Sequence, residues 1–356
     1  MPRTRTTLSL LVSHSRPATL RDVARHAGVS VATVSLALRG SPRISEETVA
    51  RVRQSAQELA YAPNPLVAAL MAQMRGVRET DDVEVLAVVW ATTHRPPPSN
   101  TIYVEEMLAG ARERAAVLGH RVEVFNADPD DLGDKRLDSI LYNRGIRGVI
   151  LPPISRANRR LEMDWSRYSG VALGYSMQEP ALHRVCPDQF QGMILAIEQL
   201  RGRGYRRIGL FIDEDTDVRV RHKFTAAMAW HNLEVRSQER VPLLLTPRLD
   251  AESFQHWLRE YQPEVVLSSS QVAMNWMREA GLRIPEDVGF AHVNWTERGE
   301  PCAGIDQRPR LLGWAAVDAV VAQLHNNEHG VPSVPRTISI DGVWMDGCTI
   351  RDRPPT

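Results

Sequence analysis

Residues 19–38 read TLRDVARHAGVSVATVSLAL, and the spacing within this stretch decides the reading of the first part of the chain. Thr19 can cap a helix in which Leu20, Val23, Ala24 and Ala27 recur at helical intervals. Gly28 supplies a residue that tolerates the left-handed turn ending such a helix, and Val29 fills the corner. Ser30 can then cap a second helix, Val31 to Leu38. Val34, Ala37 and Leu38 turn back towards the first helix, which leaves Val31, Ala32, Ser35 and Leu36 on or near the outer face. Two short helices joined by a glycine-containing turn form a helix-turn-helix, and the second is of a size to enter a major groove. A third helix follows. Ser45 caps it, Glu46 and Glu47 suit its positive end, Val49, Val52, Ala56 and Leu59 form its apolar stripe, and Tyr61 and Pro63 close it.

Together these pieces resemble the head of the lac-repressor (LacI/GalR) family. The resemblance runs from Thr19 to about Met74. It is carried by the D-V-A…A-G-V-S corner, the T-V-S of the second helix, the I-S that caps the third, and the Y-x-P-N that follows. It implies that Val31, Ala32 and Leu36 read bases, while Thr33, Ser35 and Arg39 contact phosphates; Thr19, Arg43 and Asn64 complete the expected DNA-facing set. Contacts of the second kind set register and those of the first specify sequence. Leu36 stands where the family often has arginine. Small apolar side chains can meet thymine methyls but cannot form a bidentate pair to guanine, so an operator unlike the better-known ones is expected. Residues 64 to about 74 resemble the family's hinge helix, and Leu70 matches the leucine that wedges into the minor groove. Ala68 replaces the usual basic or polar neighbour.

Charge agrees with this division. The whole chain has zero net charge, yet residues 1–80 hold eleven arginines, no lysine and five acidic residues, a net of 11 − 5 = +6, so the remainder carries −6. A basic head on an acidic body points to a polyanionic partner for the head. Ahead of it, Leu8–Val12 is too short for the apolar core of about 7–15 residues that a secretory signal needs, and residues 1–17 read as a disordered leader. No apolar run approaches the roughly 20 residues of a membrane span. Cys186, Cys302 and Cys348 are odd in number and far apart, which supports neither a disulfide framework nor a zinc site and fits a reducing cytoplasm.

After Asp81-Asp82, strand-like and helix-like stretches alternate. Strands are expected at Val85–Trp90, Arg121–Phe125, Gly148–Leu151, Ile208–Ile212, Val265–Leu267 and Val288–Val293. Helices are expected at about Tyr103–Leu118, Leu132–Asn143, Gly192–Arg203, Val220–His231, Gln271–Ala280 and Leu311–Leu324. This is the pattern of parallel sheets with helices on both faces. The number of units argues for two lobes, with a ligand at the carboxyl ends of the strands between them. The organisation expected is a leader (1–17), an all-α helix-turn-helix head (18–62), a hinge helix and linker (63–80), and a two-lobed α/β domain like a periplasmic binding protein (83–356).

The body resembles the same family's effector domain through GYRRIGLF (204–211), GLRIPEDVGFAHVN (281–294) and DGVWMDGCTI (341–350). The resemblance implies that Arg221 is the effector-clamping arginine, and a guanidinium fork suits vicinal hydroxyls or a carboxylate. Asn294 stands where a sugar-binding aspartate is common, Trp295 beside it can stack on a sugar face, and Gln307 matches a glutamine of the following crossover. Tyr103, Asp188 and Trp90 are further candidates for which core packing is an equal reading. Ser268-Ser269-Ser270 replaces an N-D pair of the family. No P-loop, G-x-G-x-x-G after a strand, G-x-S-x-G elbow or metal-spaced histidines occur, so no catalytic set, cofactor or metal is implied. The expected function is a cytoplasmic, homodimeric regulator, of the repressor type, that binds a pseudo-palindromic operator under the control of a saccharide or related metabolite. A sugar-binding protein without specific DNA reading is the alternative.

Overall fold

The computed structural model describes residues 19–38, 44–59, 61, 83–91, 101–127, 133–154, 160–295 and 301–353. The chain divides into two compact units, residues 1–80 and 81–356. In the first, helices α1 (Leu20–Ala27), α2 (Val31–Leu38) and α3 (Glu46–Glu58) enclose a small core of Val23, Ala24, Ala27, Val34, Ala37, Val52 and Ala56. Leu20, Val29, Ile44, Leu59 and Tyr61 pack around its edge.

The second unit contains two six-stranded sheets with the same plan. The first sheet comprises β1 (Glu84–Trp90), β2 (His120–Asn126), β3 (Gly148–Leu151), β4 (Ser169–Leu173), β5 (His183–Pro187) and β11 (Thr337–Ile340), in the order β11-β5-β4-β3-β1-β2. The second comprises β6 (Ile208–Asp213), β7 (Leu244–Thr246), β8 (Val265–Ser268), β9 (Gly289–His292), β10 (Ala303–Asp306) and β12 (Val343–Met345), in the order β12-β10-β9-β8-β6-β7. All described pairings are parallel except β10 with β12. In each sheet the strand order reverses beside the first strand, the arrangement that opens a crevice at the carboxyl ends.

Alternation along the strands builds a core on each face. In β1, Leu86, Val88 and Trp90 meet Met107, Leu312 and Val320 of helices α4 (Thr101–Val117) and α11 (Pro309–Asn326). Ala87, Val89 and Ala91 face Leu137 and Leu141 of α5 (Asp134–Asn143). In β6, Ile208, Leu210 and Ile212 meet Met193 and Ile197 of α6 (Gln189–Gly202) and Phe224 and Met228 of α8 (Lys223–Glu234). Phe211 turns to Phe254 and Trp257 of α9 (Ala251–Tyr261) and Met274 of α10 (Val272–Glu279). Helices α4 and α11 approach so closely that a Cβ on Gly313 would lie 2.0 Å from the Met107 carbonyl oxygen, and one on Gly110 equally near that of Arg310.

The expected helix Val220–His231 begins three residues later, as α8 (Lys223–Glu234), and a short helix that was not expected, α7 (Glu214–Arg219), precedes it, with the break between them at Val220–His222. Arg221 and His222 both adopt positive φ, 56° and 59°. Buried Asp217 holds the break. Its carboxylate accepts from His222 Nδ1 at 2.9 Å and from the Thr225 hydroxyl at 2.8 Å, while the His222 N–H donates to its carbonyl. The break therefore falls at the expected start of the helix, and its left-handed residues delay that start to Lys223.

Candidate DNA-reading head and interlobe cleft

In the head, Asp22 accepts both the N–H and the O–H of Thr19, at 2.9 and 2.6 Å. Thr19 thus enters α1 through a side chain of the first turn. Gly28 closes α1 at φ 66° and donates its N–H to the Ala24 carbonyl, the left-handed cap that only glycine adopts without strain. Ser30 then caps α2, its Oγ accepting the Thr33 N–H at 3.0 Å and lying 2.8 Å from the Thr33 hydroxyl. The free N–H groups and dipole of that end favour an anion such as a phosphate.

Val34 and Ala37 are fully buried. Val31 is 41% exposed, and neither it nor half-buried Leu36 joins the core. The side that the sequence assigns to base reading is therefore left uncovered by the other two helices at these positions. The side chains of Ala32 and Ser35, and all of Arg39, Arg43, Asn64 and Leu70 with the expected hinge helix, lie outside the described residues.

In the second unit, the start of α8 in one lobe approaches the segment after β4 in the other. The Lys223 ammonium of the second lobe lies 5.0 Å from the ring centroid of Tyr175, which follows β4 of the first. Arg221 lies within electrostatic reach of Arg184 on β5. Arg184 is only 8% exposed and donates to the carbonyls of Met177 and Gly174, at 2.6 and 3.4 Å. Burial, reinforced against the opposing pull of Cys186 by the charge of Arg221, lowers its pKa. Burial pushes the neighbouring Cys186 thiol up to about 11, against the pull of Tyr175, Arg184 and Lys223, so it is held as the thiol.

The expected cleft residues divide into two groups. Arg221 is exposed and, among the described residues, has no carboxylate within ion-pair distance. Asn294, in the turn after β9, gives its N–H to His292 Nδ1 at 3.0 Å, while its buried side-chain oxygen has no partner among the described residues. An unsatisfied acceptor of this kind costs about 1–3 kcal/mol unless something donates to it. The others are engaged by the fold. The Trp295 indole N–H donates to the Cys302 carbonyl at 2.8 Å, and its ring packs on the core around Phe211. Gln307 is 7% exposed and donates to the Val293 carbonyl at 2.9 Å. Asp188 caps α6 by accepting the Gln191 N–H and also the Ser339 hydroxyl. Tyr103 and Trp90 belong to the first-lobe core, and burial raises the Tyr103 phenol, with Cys186 and then Asp306 adding to the shift.

Two residues here carry no signal in the linear pattern. Asp217 positions the break that presents Arg221. Arg219, at the end of α7, has a buried Nε without a partner and donates through Nη2 to Thr216. Burial lowers its pKa against the pull of Asp213 and Asp215.

Residues 19–64 match the profile described as bacterial regulatory proteins, lacI family, and residues 197–342 match the periplasmic binding protein-like domain. Over 321 residues the chain is 24% identical to the HTH-type transcriptional repressor PurR of Mannheimia succiniciproducens, covering 84% of this chain and 90% of that one. Its fold is similar to that of a transcriptional regulator CelR–cellobiose complex, with TM-score 0.56, 20% identity, and coverage of 93% and 99%. It is also similar to that of the lac repressor dimer bound to operator and the anti-inducer ONPF, with TM-score 0.55, 23% identity, and coverage of 94% and 99%.

Proposed function

The chain belongs to the lacI family of bacterial regulatory proteins, and we propose that it is a homodimeric, cytoplasmic repressor whose operator affinity is set by a small molecule between the lobes. One observation carries this reading: a capped helix-turn-helix with Val31 uncovered stands in the same chain as a two-lobed α/β unit. Two heads on a pseudo-palindromic site bind far more tightly than one. The hinge at residues 64–74, with Leu70 as the wedge, carries the response. A ligand that holds the lobes in one arrangement biases the hinges and therefore the operator affinity. A saccharide or related metabolite is the effector class, in keeping with the cellobiose complex of the similar CelR regulator.

Selection of a random double-stranded DNA pool by the purified chain tests this. The expected result is an enriched palindrome whose binding weakens steeply with salt, as phosphate neutralisation requires. Removing residues 1–80 abolishes that binding while the two-lobed unit still melts as before. Failure to enrich any sequence overturns the reading and favours a ligand-binding protein without specific DNA recognition.

A further inference from the structure

Among the described residues, the basic side chains at the meeting of the lobes have no anionic partner of their own. Arg184 is buried and satisfied only by neutral carbonyls. Arg221, which forms a two-residue left-handed break with His222 just before Lys223, is near enough for its charge to act on Arg184. Lys223 leans on the Tyr175 ring from the opposite lobe. Among the described residues no carboxylate lies within ion-pair distance of any of the three. Two acidic residues on adjoining elements are engaged elsewhere. Asp217 is taken up by His222 and Thr225, and Asp306 accepts the Arg308 N–H at 2.7 Å.

Placing like charges together at a partly desolvated site is unfavourable, and a buried guanidinium without a counter-charge is more so. The backbone adds strain, because side-chain-bearing residues resist left-handed φ, and such outliers gather at ligand clamps. Both costs are repaid if an anion occupies the site. A carboxylate or phosphate accepts from a guanidinium fork and an ammonium at once. The unpartnered oxygen of Asn294 and Nε of Arg219 are further polar atoms of the second lobe left without a protein partner.

We propose that the effector is anionic, a small molecule whose carboxylate or phosphate group bridges Arg184 of the first lobe and Arg221 and Lys223 of the second. The inference rests on the cleft being the effector site, and it narrows the class from saccharides in general to acidic or phosphorylated ones. Such an anion supplies the charge that lets the lobes close, so the lobe arrangement depends on it directly.

The test is thermal melting and calorimetric titration of the full chain with inorganic phosphate, citrate, D-gluconate and glucose 6-phosphate. Ionic strength is matched with chloride, and neutral glucose is run alongside. The expected result is a rise in melting temperature with at least one anion beyond the chloride baseline. Its affinity falls about tenfold or more in Arg221→Ala and in Lys223→Met, as loss of a charge-assisted contact requires. The charge-matched control Arg236→Ala, on an exposed surface away from the lobe junction, keeps the wild-type response. The carboxylates and the phosphates form separate arms and identify which group is read. Equal stabilisation of all variants marks a general salt effect and overturns the proposal. So does a response to glucose alone, and so does no response to any anion. Operator selection is read independently. Failure of the anion test with an operator in hand removes only this inference, whereas anion binding without an operator removes only the regulatory one.

Discussion

Substituting alanine for Gly313 sets two physical effects of opposite sign against each other. Gly313 lies inside α11, where glycine costs about 1 kcal/mol relative to alanine. Propensity alone therefore makes Gly313→Ala stabilising. The packing predicts the reverse. The new Cβ would sit 2.0 Å from the Met107 carbonyl oxygen and 2.8 Å from the Ala111 amide nitrogen, both backbone atoms of α4. Comfortable heavy-atom separations begin near about 3.5 Å, so the helices must part by roughly 1.5 Å, and neither contact can be relieved by rotating a side chain. Overpacking costs typically about 1–3 kcal/mol, and a backbone-on-backbone clash belongs at or above the top of that range. The net destabilisation expected is about 2 kcal/mol, or a fall of roughly 4–8 °C in the melting of the two-lobed unit at the scaling for domains of this size. Gly202, the last residue of α6, is the control, because a Cβ there meets nothing within 4 Å. Gly202→Ala is expected to leave the melting temperature unchanged or raise it slightly. If Gly313→Ala rises with it, the close approach of α4 and α11 is wrong.

Three further outcomes follow from the geometry. Ser30→Ala removes the acceptor for the Thr33 N–H and should cost the head about 1 kcal/mol in denaturant unfolding; Ser30→Asp should keep the cap yet weaken operator binding on the proposed reading, because it adds a negative charge at the end of the helix proposed to meet DNA. Asp217→Asn weakens the contacts to His222 and Thr225, and a loss of about 2 kcal/mol in unfolding free energy is expected, together with a weaker response to effector. Burial lowers His292 from 6.5 to about 4, and its Nδ1 is already the acceptor for the Asn294 N–H. Between those values the unfolded chain takes up the proton before the folded one, so stability is full above about pH 6.5 and falls by about 3 kcal/mol on the way to pH 4. Histidine NMR titration checks it, and a His292 midpoint near the ordinary value refutes it.

The head was legible because its information is local. Ser30 three residues before Thr33, Gly28 at a left-handed turn, and Val34 and Ala37 at one helical spacing each determine a contact within a few residues. The cores of the body were legible where a strand alternates or runs apolar, as at β1 and β6. Strands β4 and β5 escaped notice because each is a short, mostly buried stretch beside loops, with no period to count. Strands β11 and β12 lie at sheet edges and are largely exposed, so burial writes little pattern into them. The cleft was harder still. Arg184 and Lys223 are 39 residues apart in sequence (223 − 184) and belong to different lobes, and nothing in either neighbourhood announces that the two share a site.

That long-range assembly changes what the cleft residues mean. Aligned one by one, Asn294, Trp295, Gln307 and Asp188 describe a pocket suited to hydroxyls and a sugar face, with no cation among them. Three of the four are engaged: Trp295 and Gln307 with backbone carbonyls, and Asp188 with the start of α6 and Ser339. A ligand that used them would first have to break those bonds. Among the described residues, the oxygen of Asn294 and the Nε of Arg219 have no hydrogen-bond partner, and the charges of Arg221, Arg184 and Lys223 have no counter-charge, although Arg184 donates to the Met177 and Gly174 carbonyls and Lys223 lies over the Tyr175 ring. Hydroxyls could satisfy the first two but cannot neutralise the last three. The unpaired charge therefore outweighs the aligned side chains in deciding the ligand, and it places the specificity of this cleft on an anion that both lobes must share.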